Sequence, residues 1–190
     1  KMKVIQLHQE EKQLIMLAVE NNRQAQQQIY AKFSSKMLSV CRQYIKDIHH
    51  AEDVMITGFM KVFTNLKNFE HKGSFEGWIR RIMIYECIDF IRVKKNNFNH
   101  QDIDDVTVSE NESVYEMEDF SVDDIQNMID NLPDGYKMVF NLYAIEGYKH
   151  QEIAEMLKIS EGTSKSQLSH ARKLLQQQIT ELKNKLNETK

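Results

Sequence analysis

One proline and six glycines among 190 residues leave few positions where a helix must break or a turn must be tight. No run of alternating apolar and polar residues is present that would form a strand instead. Two cysteines, Cys41 and Cys87, are too few and too isolated for a disulfide framework or a structural zinc site, and they read as buried thiols. No apolar run is long enough to span a bilayer and the start lacks the apolar core of a signal peptide, so a cytoplasmic protein is expected. Also missing are a glycine-rich phosphate loop, a nucleophile elbow and the regular acidic spacing of a calcium loop. His49 and His50 stand near Glu52 and Asp53, but adjacent histidines on a helix point to different faces. The expectation is a chain with no catalytic residues, no metal and no cofactor, and not an enzyme. Apolar residues recur at spacings of three and four almost throughout, which predicts an all-α fold.

Net charge is nearly balanced at −3, yet the charges are partitioned along the chain. Residues 1–95 carry sixteen basic and ten acidic side chains, 96–136 carry none and twelve, and 137–190 carry nine and six. Two basic blocks therefore flank a segment without a single Lys or Arg, the pattern of two nucleic-acid-facing domains on an acidic connector. The middle of that segment is polar and aperiodic and reads as a flexible linker. The expected domains are residues 1–97 and 122–190, with the acidic linker over 98–121.

Within the C-terminal block, YKHQEIAEMLKISEGTSKSQLSHARKLL predicts two short helices joined by a tight turn. Ile153, Ala154, Leu157 and Ile159 give the first an apolar face, and Ser160 or Thr163 can cap the second. Leu168, Ala171, Leu174 and Leu175 pack the second helix back on the first. This leaves Thr163, Ser164, Lys165, Ser166, Gln167, Ser169, His170, Arg172 and Lys173 as an expected exposed face. A helix-turn-helix of this kind lays its second helix in the DNA major groove. Gln167 is the natural base reader, because its amide can pair bidentately with adenine; Lys165, Arg172 and Lys173 can neutralise phosphates.

The N-terminal block holds two further predicted helices. In the first, Ala51, Val54, Met55, Phe59, Val62, Phe63 and Leu66 form an apolar stripe with Glu52, Asp53 and Lys61 outside it. In the second, Phe75, Trp78, Ile79, Ile82, Ile88 and Ile91 make a buried face beside Arg80, Arg81, Arg92, Lys94 and Lys95. Aromatics next to arginines can hold single-stranded bases by stacking and cation–π contact, although an aromatic at helical spacing also suits a core.

Nearly the whole chain resembles a bacterial extracytoplasmic-function sigma factor, a two-domain specificity subunit of RNA polymerase. The motifs that carry the resemblance are Ala51-Glu52-Asp53, Phe59 to Phe63, Gly73 to Trp78 with Ser74 inserted, and Asp89 with Arg92. In the second domain they are Leu132-Pro133, Glu152 to Ala154, Ser160 to Thr163 and Ala171-Arg172, in family order. The resemblance implies that Glu52, Asp53, Phe59, Met60 and Phe63 dock on core polymerase. It implies that Phe69, Phe75, Trp78, Arg80, Arg81, Tyr85, Asp89 and Arg92 engage the −10 element and hold an unpaired base. It implies that the helix-turn-helix reads the −35 element as duplex. Core RNA polymerase, promoter DNA and an anti-sigma factor, in many relatives membrane-anchored, are the implied partners. The sequence departs from the family pattern at Ile56, Thr57 and Gly58, where polar residues are common. Further departures are Tyr85 in place of Asn, Gln167 and His170 in place of Arg, and Ser164 in place of an aliphatic residue. A helix-turn-helix regulator that binds duplex DNA without polymerase is the alternative; a protein-interaction adaptor would leave the polar helix unexplained.

Overall fold

The computed structural model describes residues 2–97 and 121–188, with side chains described over 10–94 and 121–184. The expected acidic linker, 98–121, lies outside the described residues except for Ser121. Among the described residues every regular element is helical, and the chain divides into two compact units, residues 1–90 and 91–190.

The first unit is built from α1 (Met2–Val19), α2 (Arg23–Tyr44), α3 (Ile48–Thr64), a 3-10 turn (Leu66–Asn68) and the greater part of α4 (Phe75–Asn97), whose last turns run past residue 90. Short polar residues begin these helices by accepting otherwise orphaned backbone N–H groups. The Asn22 side chain accepts from the Ala25 N–H at 3.0 Å, after Asn21 has turned the chain with φ 62°. Asp47 accepts from the His50 N–H at 2.9 Å, and that bond holds the Asp47 carboxyl below its ordinary pKa. Ser74, the residue inserted into the sequence motif, caps α4: its Oγ accepts from the Gly77 N–H at 3.0 Å. Gly73 before it takes φ 89°, a conformation a side chain would strain.

The core of this unit is the apolar stripe of α2 (Ile29, Phe33, Met37, Val40, Cys41, Tyr44) enclosed by Ala51, Met55, Phe59 and Val62 of α3 and Phe75, Ile79, Met83, Ile84 and Cys87 of α4. Both cysteines are free and buried, and the neighbouring Cys41 together with burial pushes the Cys87 thiol well above its ordinary range. Across the edge of the core Lys61 Nζ bonds to Glu86 Oε1 at 2.5 Å, which supplies a partner to a carboxylate that is almost fully buried.

The second unit contains α5 (Val122–Asp130), α6 (Asp134–Phe140), a π-helical segment (Asn141–Ile145), α7 (His150–Leu157) and α8 (Glu161–Glu188). Ser121 and Asp124 form a reciprocal capping box at the start of α5. Pro133 stands immediately before α6, where its missing N–H is no loss. Gly147 at φ 77° turns the chain toward α7, and Lys158 at φ 57° ends it. Ser160 is the cap of α8, accepting from the Thr163 N–H at 2.9 Å. Helix α8 continues well past the helix-turn-helix motif. Leu132, Tyr136 and Ala171 form a small buried cluster against which Phe140, Leu174 and Leu175 pack. Lys137 is 4% exposed and is nonetheless satisfied: its Nζ donates to the Asp130 backbone oxygen at 3.2 Å and lies 4.0 Å from the Asp130 carboxylate.

Candidate nucleic-acid interface

Helix α8 follows the tight turn after α7, as the sequence predicts, but its orientation sorts the expected reading face into two sets. Ser164, Leu168 and Ala171 recur at the spacing of one helix face and are buried. Ser164 is therefore corrected from exposed to buried: it is 0% exposed and hydrogen-bonds through Oγ to His150 Nδ1 of α7 at 2.9 Å. A small hydroxyl occupies this site because it faces an imidazole, which an aliphatic side chain would leave without a partner. Gln167 is half-buried, and its amide packs against Gly135 of α6, where an added Cβ would stand 3.3 Å from Nε2. His170 is also half-buried and stacks on Tyr136 at 5.4 Å and 15°.

The outward face of α8 carries Lys165, Ser166, Ser169 and Arg172. Thr163 and Lys173 are partly exposed at its margins. Lys165 bonds to Glu161 at 2.7 Å along the helix surface, a bond that also holds the Glu161 carboxyl below its ordinary pKa. Arg172 lies over the ring of Tyr143, with Cζ 5.7 Å from the centroid. The face is thus a stripe of small hydroxyls bordered by cations, suited to close approach to a phosphate-lined groove.

In the first unit, Phe69, Phe75 and Trp78 meet in one aromatic cluster. Phe69 lies 5.1 Å from Phe75 and 5.4 Å from Trp78, and Phe75 and Trp78 stack at 5.9 Å and 14°. Phe33 of α2 closes the cluster from beneath at 5.7 Å from Phe75. Phe69 and Phe75 are buried, so their rings back the cluster; Trp78 is partly open. His71, which the sequence reading does not single out, is exposed at φ 56° and meets Phe69 at a tilt, with ring centroids 4.7 Å apart at 59°. Along α4, Arg81 and Asp89 are exposed and Arg80, Tyr85 and Arg92 are partly so; the Arg81 guanidinium lies 5.9 Å from the Tyr85 ring.

On α3, Asp53 and Met60 are exposed, Glu52 and Phe63 are partly exposed, and Phe59 is buried in an edge-to-face contact with Tyr30, ring centroids 4.8 Å apart. The three residues that depart from the family pattern have separate roles. Ile56 is 49% exposed and stands one turn before Met60, Thr57 turns its hydroxyl onto the Asp53 carbonyl, and Gly58 faces Met83 of α4. The outward strip of α3 is therefore apolar at Ile48, Ile56 and Met60, with Asp53 as its exposed charge. The helical spacing that joins Ala51, Val54, Met55, Phe59 and Val62 in one stripe leaves Ile56 and Met60 off it, and only that stripe is buried. No helix among the described residues is long and apolar enough to cross a membrane.

Residues 29–97 match the family model for sigma-70 region 2, and residues 122–175 match that for sigma-70 region 4. The chain is 29% identical over 163 residues to the ECF RNA polymerase sigma factor SigW of Bacillus subtilis, covering 79% of this chain and 86% of the relative. It is 30% identical over 132 residues to the ECF RNA polymerase sigma factor SigE of Mycolicibacterium smegmatis, covering 67% of this chain and 51% of the relative. Among solved structures, the sigma factor RpoE in complex with the anti-sigma factor NepR from Bartonella quintana is similar in fold. That TM-score is 0.54 at 18% identity, over 81% of this chain and 96% of the other.

Proposed function

The chain belongs to the bacterial sigma-70 family, in its extracytoplasmic-function class of RNA polymerase sigma factors, and on that premise we propose how its two helical units divide the work of initiation. Residues 1–97 form the polymerase-binding and −10 domain, residues 98–121 the tether, and residues 122–190 the −35 domain. The outward strip of α3, with Glu52, Asp53, Met60 and the adjoining Phe63, is the docking surface for core polymerase. Buried Phe59 holds that strip in place.

At the −10 element, melting a base pair loses stacking and pairing, and the protein must replace them. Trp78 is the open end of the aromatic cluster, and buried Phe69 and Phe75 stiffen it from behind. Arg80, Arg81 and Arg92 supply cations for the strand, with Tyr85 and Asp89 on the same helix. At the −35 element the duplex is read by Lys165, Ser166, Ser169 and Arg172, flanked by Thr163 and Lys173; Gln167 and His170 border the reading face from the α6 side. An anti-sigma factor is the further partner, by analogy with the RpoE complex.

The observation that carries this reading is that both region models match in order on helical units whose exposed faces, largely apolar on α3 and polar on α8, suit their expected contacts. Transcription from a promoter library by core polymerase, with and without this protein, tests it. Initiation that depends on the protein and shares a two-element motif is expected. Retention of a duplex site by the protein alone, with no initiation, would instead favour a polymerase-independent regulator.

A further inference from the structure

Two residues outside the recognition helix are joined to it. Tyr143 belongs to the π-helical segment Asn141–Ile145 and His150 begins α7. Their rings stack at 4.6 Å and 22°. His150 is in turn tied to fully buried Ser164 of α8 through its Nδ1 at 2.9 Å, so its ring is anchored on the recognition helix itself. Arg172, two turns further along α8, brings its guanidinium to 5.7 Å from the Tyr143 centroid. Ser164, His150, Tyr143 and Arg172 thus form one continuous chain of contacts that leaves α8, crosses two other elements and returns to α8.

Such a chain has a consequence for DNA binding. An arginine on a free stem loses rotamer freedom when it meets a phosphate, and prior confinement reduces that loss. A π face is a good surface for confining a guanidinium, because it attracts the cation while leaving its in-plane N–H donors free to bond elsewhere. A π-helical turn is itself uncommon in a helix and recurs at functional sites. Here it bears the side chain that meets Arg172.

We propose that Tyr143 is a positioning residue for −35 binding: held by His150, it orients Arg172 toward a backbone phosphate before DNA arrives. The proposal rests on the −35 reading above. Its test is equilibrium binding of reconstituted holoenzyme to promoter duplex over a range of KCl. The comparison covers the unaltered protein, Arg172→Ala, Tyr143→Phe, Tyr143→Ala, Tyr143→Leu and the double variant Tyr143→Ala with Arg172→Ala.

Arg172→Ala is expected to weaken binding and to reduce the salt slope by about one phosphate contact. Tyr143→Ala and Tyr143→Leu should each weaken binding about 3- to 10-fold with a shallower slope, whereas Tyr143→Phe keeps the π face and binds as the parent does. The double variant should be no weaker than Arg172→Ala. Tyr143→Leu keeps apolar bulk in the fold, so it reports the missing π face should the alanine variant unfold. Parental binding by Tyr143→Leu, or losses that multiply in the double variant, would overturn the positioning role while leaving Arg172 as a DNA contact. No effect of Arg172→Ala on affinity or slope would remove the phosphate contact, and with it both that part of the −35 reading and the role of Tyr143.

Discussion

Gly58 of α3 faces the Met83 thioether of α4 so closely that a Cβ at position 58 would overlap the sulfur. The glycine is therefore a packing requirement of two helices in contact, at a position where the surrounding sequence departs from its family's polar pattern. Met83 is fully buried and has little room to withdraw.

Gly58→Ala is accordingly expected to lower stability by about 1 kcal/mol. This is the balance of overpacking, at about 1–3 kcal/mol, against the roughly 1 kcal/mol by which alanine favours a helix over glycine. Urea denaturation reads this directly. In a Met83→Ala background the same change should become neutral or stabilising, because the clash is gone and the helix gain remains.

Ser164 and Gln167 separate a contact with DNA from a contact within the domain. Ser164→Ala removes the bond to His150 and should destabilise the domain by about 1 kcal/mol without altering base preference. Gln167→Ala removes a side chain packed on Gly135, so thermal stability should fall while the preferred −35 sequence stays the same. Binding-site selection with each variant checks this. A relaxed preference at one base pair for Gln167→Ala would show that the amide swings from Gly135 to the DNA.

The aromatic cluster divides in the same way. Phe75 is buried between Phe33 and Trp78, and Phe75→Ala should lower stability by about 3–5 kcal/mol. Trp78 is partly open, and Trp78→Ala should reduce promoter melting beyond any loss of stability. Fluorescence of a base analogue within the −10 element of the holoenzyme complex measures that step. Equal melting by the parent and Trp78→Ala would restrict Trp78 to packing.

At the start of α5, the Ser121 hydroxyl and backbone N–H bond to the Asp124 carboxylate and lower its pKa below the ordinary value. A carboxyl whose folded pKa is depressed contributes stability above its unfolded pKa, near 4, and loses that contribution as pH falls through the folded value. Carboxyl titration by NMR should place the Asp124 midpoint below 3.8, with fraying of the α5 N-terminus following the same midpoint. In Ser121→Ala the midpoint should return toward 3.8.

The all-α class, the turn before α8 and the Ser160 cap were legible along the chain, because helical periodicity and capping depend on residues only three or four positions apart. Even the inserted Ser74 has a local explanation, since a hydroxyl three residues before Gly77 is in reach of its N–H. Facing directions were legible only in part. Periodicity marks the apolar stripe of α8 through Leu168 and Ala171, but it does not reveal that the polar side chains of Ser164 and Gln167 pack on α7 and α6 as well. On α3 periodicity puts Phe59 on the apolar stripe and leaves Ile56 and Met60 off it, as their burial bears out, but it gives no reason for those two apolar side chains to face outward. The approach of Tyr143 to Arg172 and of Gly58 to Met83 joins positions far apart in sequence. The sequence by itself determined the elements and the chemistry each could offer. The packing of helices against one another decided which of those side chains faces solvent, because burial is a property of neighbours in space and not of neighbours along the chain.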